Sequence, residues 1–157
     1  MAVKARCPGP TRVEDLIELR LLVELSALRR LTVRGLTDRE LAALGKLARA
    51  AMRSAFAGDA LGCRQAEIGF HLRLLELTGD RTLLAVGRPL LAAAGTAPGT
   101  RPAGGDEPAG LAAAGARDHC ELVALLSDDL TAMADDLLRK HIGGSSGCRW
   151  GRQRTVG

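Results

Sequence analysis

Aromatic side chains are almost missing from this sequence. Its 157 residues hold no tyrosine, one tryptophan and two phenylalanines, 2% in all. Strands draw on aromatic and β-branched residues. The apolar 46% here is mostly leucine and alanine, which favour helices. A β-rich fold is thereby excluded, and the chain reads as all-α. Long apolar runs are also missing. None reaches about 18 residues without a charge, so no segment is expected to span a membrane. Met1-Ala2-Val3-Lys4 leads into no apolar stretch, which argues against a secretory signal. The four cysteines, Cys7, Cys63, Cys120 and Cys148, form no C-x-x-C pair. They are expected to be reduced, in a cytoplasmic protein.

Acidic residues are missing at both ends. Residues 1–12 carry Lys4, Arg6 and Arg12, and residues 143–157 carry Arg149, Arg152 and Arg154, with no acid in either stretch. Taking these six charges from the net +4 leaves the body at −2. A nucleic-acid-binding domain would concentrate its positive charge on the folded part. The reading is therefore a linker remnant over 1–12, one helical domain over 13–142 and a disordered basic tail over 143–157.

What is present is helical punctuation. A first helix is expected from about Val13 to Arg30, apolar nearly all round through Leu16, Ile17, Leu21, Val23, Leu25 and Leu28. Thr37-Asp38-Arg39-Glu40 is a capping box that starts a second helix, ended by Ala57-Gly58 near Phe56. Asp59 caps a third, which stops at Thr78-Gly79, and Asp80 caps a fourth from Arg81 to about Ala94, interrupted by Gly87 and Pro89. Residues 95–117, rich in Gly, Ala and Pro, read as a loop with at most a short helix near Leu111. A fifth helix carries His119. A sixth runs from Asp129 to His141, with Gly143-Gly144 as its C-terminal signal. The sum is an antiparallel bundle of about six helices.

Glu67-Ile68-Gly69-Phe70-His71 stands inside the third helix. Residues i and i+4 share a helix face, so Glu67 and His71 project together. A carboxylate and an imidazole so placed can grip one divalent metal, although a solvated polar face shows the same pair. The other two histidines strengthen the metal reading. His119 and His141 flank the break at Ser127-Asp128-Asp129, nine residues before Asp128 and thirteen after it. On an antiparallel hairpin they differ in height by about 6 Å, one turn, which helix offset can close. Four ligands from three helices would then meet inside a bundle. Cys63, one turn before Glu67, reads as a small apolar residue or as a neighbour of that site. Arg20, in the greasy first helix, either snorkels to the surface or is held in a cavity for an anion.

These spaced elements, Asp15-Leu-Ile-Glu18-Leu-Arg20, Thr37-Asp-Arg-Glu-Leu41, Glu67-Ile-Gly-Phe-His71, Asp118-His119 and His141, resemble the FCD domain. That domain is the C-terminal effector-binding part of FadR-type GntR transcription regulators. The resemblance covers about residues 13–142. It implies an antiparallel helical bundle that holds a divalent metal through Glu67, His71, His119 and His141; histidine and carboxylate ligands suit Zn, Ni, Mn or Fe. It also implies a small organic acid or sugar acid as effector, Arg20 near the effector cavity, and a homodimer. The family's acidic ligand is commonly Asp, and Glu67 is one methylene longer. Residues 95–117 replace a region that is usually helical. Relatives carry a winged helix-turn-helix before this domain, and no recognition helix fits the dozen residues before Val13. DNA reading is accordingly expected only through an N-terminal domain missing from this sequence. Two rivals stand beside the sensor reading. One is a metal-dependent hydrolase or lyase, for which no spare general base is evident. The other is a degenerate partner that acts by dimerising with full-length regulators.

Overall fold

A computed structural model describes residues 13–96 and 109–144. Six helices and no strand occur among them: α1 (Val13–Arg34), α2 (Asp38–Phe56), α3 (Ala60–Leu77), α4 (Arg81–Thr96), α5 (Ala109–Ser127) and α6 (Thr131–Gly144). The fold is an all-α bundle. No helix among the described residues is long and apolar enough to cross a membrane.

Local chemistry sets the ends of the helices. Thr37 Oγ1 accepts from the Glu40 backbone N–H, and the Glu40 carboxylate accepts from the Thr37 N–H at 2.9 Å, so two orphan donors of α2 are satisfied reciprocally. Asp59 accepts from the Gly62 N–H at 2.9 Å and starts α3. Asp80 accepts from the N–H groups of Thr82 and Leu83 and starts α4. Between α5 and α6, Asp129 takes a left-handed φ of 55°, which short polar side chains tolerate. The Leu130 N–H then donates back to the Leu125 carbonyl at 2.9 Å, and the chain reverses in three residues.

The helices close into a ring in which each packs on its neighbours in the order α1, α4, α3, α2, α5, α6 and back to α1. Helix α3 also crosses the ring to touch α1 and α5. Leu25, Leu28 and Leu31 of α1 meet Leu44, Phe70, Leu74, Leu122, Leu126, Leu138 and Ile142 in one continuous core. Fully burying each such side chain contributes about 1.5–3 kcal/mol. Small residues let the outer helices close on α3: Ala51, Ala66 and Ala116 form the seam of α2, α3 and α5. Gly87 does the same for α4, since a Cβ there would lie 2.3 Å from Leu75 Cδ1.

Several expected boundaries move. Helix α1 continues past Arg30 to Arg34, where Gly35 takes a φ of 79°. Helix α4 is not interrupted. Pro89 costs it one hydrogen bond, but the carbonyl left over belongs to Ala85 on the exposed face, where water can serve it. Residues 109–117, expected as loop, form the first half of α5, because their alanines outweigh Gly110 and Gly115. Gly143 and Gly144, expected as the C-terminal signal, are the last described residues of α6. The expected linker, basic tail and the segment 97–108 lie outside the described residues, as do Cys7 and Cys148.

Candidate metal centre

The crossing contacts of α3 leave a four-helix ring of α1, α3, α5 and α6, and the polar interior of the molecule lies inside it. His71 (0% exposed), His119 (2%) and His141 (4%) point into this ring from α3, α5 and α6. Their Nε2 atoms form a triangle with edges of 3.1, 3.1 and 3.2 Å. Imidazole nitrogens bound at 2.0–2.1 Å to one ion stand roughly 2.8–3.4 Å apart, from octahedral to tetrahedral geometry, so the triangle fits a common cation. Among the described residues these three are the group of side chains whose donor atoms converge closely enough to hold a metal.

The opposite ring nitrogens show which way the lone pairs face. His71 Nδ1 meets Glu24 Oε2 at 2.5 Å, and His141 Nδ1 meets Asp118 Oδ2 at 3.2 Å. Carboxylates accept, so the Nδ1 atoms donate, and in the neutral form each ring turns an Nε2 lone pair inward. Two lone pairs facing each other in a buried space call for a cation or proton between them. His119 differs: its Nδ1 is buried without a hydrogen-bond partner. Its ring is held instead by stacking on Phe70, with centroids 4.3 Å apart and planes 21° from parallel. Burial holds the His71 imidazole well below its usual range, helped by the Arg20 charge and by the neighbouring His141. Burial does the same to His119, followed by His71, His141 and Arg20. Neutral imidazoles are the form that ligates a metal.

Around the triad runs a chain of ion pairs. Arg20 is buried at 8% exposure, so it does not snorkel. Its Nε–H donates to Glu24 Oε1 at 2.5 Å, and Glu24, 1% exposed, carries His71 on its other oxygen. Burial pushes the Glu24 carboxyl up, against the downward pull of the Arg20 charge and hydrogen bond and of His141. Glu67 is placed outside the triad. Its carboxylate, 37% exposed, lies 3.9 Å from the Arg20 guanidinium. The structure thus brings His71, His119 and His141 together, sets Arg20 two steps behind them through Glu24, and keeps Glu67 beside Arg20. Glu24 is a residue that the sequence pattern did not bring forward, and Asp118, part of the resembling pattern, was given no role by it. One signal was available: Glu24 follows Arg20 by four residues on a face otherwise apolar. Cys63 is half-buried on α3 and outside the group of converging donors.

Comparison with known proteins gives one match. The family model for the FCD domain matches residues 15–144. Neither the curated proteins nor the solved structures give a match.

Proposed function

The chain belongs to the FCD domain family, and we propose that it is the effector-sensing domain of a GntR-type transcription regulator, with a divalent metal at its centre. The observation that carries the metal is the triangle of inward-facing Nε2 atoms, two of them fixed by carboxylates behind. His71, His119 and His141 would hold the ion. Imidazole suits Zn, Ni or Fe, and Mn with added oxygen ligands. The bound ion would supply a Lewis-acid position for one oxygen of a small organic acid or sugar acid. Glu67, 3.9 Å from Arg20, lies outside the three converging donors.

Arg20 is the proposed anion partner, its planar fork suited to a carboxylate. Glu67 beside it marks where this polar chain meets solvent. A thermal-shift screen of small carboxylates, run with zinc or nickel and again after chelation, tests the reading. A ligand at a hundred times its dissociation constant adds about 2.7 kcal/mol to a native state it binds. The expected result is a rise of several degrees in the melting temperature with metal, abolished by chelation and reduced in Arg20→Lys. Shifts that persist unchanged after chelation would place the ligand elsewhere.

A homodimer completes the proposal. Supporting it is a groove of about 690 Å³ on the outer side of α1, lined by Glu18, Leu22, Ser26, Arg30, Val33 and Arg34. Leu22 and Val33 are 63% and 90% exposed there, apolar area that a partner could cover. The occupant proposed is a second copy. Antiparallel pairing of α1 with itself about Ser26 sets Glu18 against Arg34 of the other copy and Leu22 against Arg30, the self-complementary pattern of a two-fold contact. Arg30 and Arg34 also hold Asp80 and Glu40 of their own chain, and a guanidinium has donors for both.

A further inference from the structure

Glu24 is the most deeply enclosed acid of the described residues, and nothing in the three-histidine arrangement by itself requires it. It has two oxygens and two partners, Arg20 Nε on one and His71 Nδ1 on the other, each at 2.5 Å. Burying a carboxylate costs several kcal/mol unless it is paired and hydrogen-bonded. A leucine in its place would fit an apolar helix such as α1 at no such cost. We infer that Glu24 is a positioning residue for the metal centre: clamped by Arg20, it fixes the His71 ring and its Nδ1–H tautomer, so that the Nε2 lone pair faces His119 and His141.

The inference rests on the metal reading of the triad. It goes further by moving the site's working carboxylate from Glu67, in the third helix, to Glu24, in the first. Two features favour Glu24. It is 1% exposed, so water cannot compete for the imidazole N–H, whereas Asp118, which serves His141, is 25% exposed and stands farther off at 3.2 Å. Arg20 also leaves Glu24 little freedom to turn, because the guanidinium is itself buried at 8% exposure. His71 is thus the ring with the most firmly set orientation, and His119, lacking any acceptor at Nδ1, the one with the least. Such outer partners typically change metal affinity by 10–100-fold when removed.

The test needs variants that do not strand a buried charge. Arg20→Met/Glu24→Gln removes both charges and keeps an acceptor oxygen for His71. Arg20→Met/Glu24→Leu removes both charges and the acceptor. The full chain, labelled with ¹⁵N-histidine and freed of metal, gives the His71 tautomer from two-bond ¹H–¹⁵N correlations. Zinc affinity follows from competition with a chelating dye. The expected result is the Nδ1–H tautomer in the wild type and the Gln variant, its loss in the Leu variant, and zinc binding about 10–100-fold weaker in Leu than in Gln. The same tautomer and the same affinity in both double variants would overturn the inference while leaving the metal reading intact. A wild type that binds no zinc, with the tautomer still dividing Gln from Leu, would remove the metal reading and uphold the positioning of His71 by Glu24.

Discussion

At the scale of residues, the interior of this domain is organised by pairs that cannot be broken one member at a time. Arg20 and Glu24 are both buried and joined at 2.5 Å. Glu24→Leu alone leaves a buried guanidinium and is expected to cost about 3–5 kcal/mol in urea unfolding. Arg20→Met/Glu24→Leu should cost clearly less than the two single changes together; additive losses would show that the pair is not coupled. The histidines were legible in the sequence because there are only three, and a short hairpin fixes two of them. Glu24 was not, because its partner His71 lies 47 residues away and an i,i+4 Arg/Glu pair on a helix normally means a solvated face. Glu67 shows the limit of the same rule. Four residues advance a helix by about 40° beyond a full turn, enough for His71 to face the interior while Glu67 meets Arg20 and water.

At the scale of elements, capping chemistry was the most readable feature. The Thr37 box, Asp59 and Asp80 all start helices where the sequence places them. The Glu40 carboxyl shows why the first is strong: the Thr37 N–H, followed by Arg34, holds its pKa down from 4.5 to about 2. A folded-state pKa below the unfolded value adds stability that is fully present above about 4.5 and lost as pH falls through about 2. The advantage of the wild type over Glu40→Ala in urea unfolding is therefore expected to be constant from pH 7 to 5 and to shrink from pH 4.5 towards 2. A pH-independent difference would assign the loss to helix propensity instead. What was least readable was the glycine and alanine segment. Composition could not separate 109–117, which is helical, from a loop, because alanine propensity and packing on α2 outweigh two glycines there.

At the scale of the whole molecule, the all-α bundle was legible from leucine and alanine content and from four short connections. The closed ring was not, since which helix lies beside which depends on small residues such as Gly87 and Ala66 that let backbones approach. The surface it leaves on α1 predicts self-association. Sedimentation equilibrium is expected to give a dimer for the wild type and a monomer, or one at least tenfold weaker, for Leu22→Asp; a dimer unchanged by Leu22→Asp would move the contact off α1. The proposed metal centre depends most on the three inward-facing imidazoles. Elemental analysis of purified protein, reconstituted with zinc or nickel and freed of loose ions, tests them directly. About one metal per chain is expected in the wild type and in Glu67→Ala, and essentially none in His71→Ala or His141→Ala. A wild type that retains no metal after reconstitution, or histidine variants that retain as much as the wild type, would contradict the account.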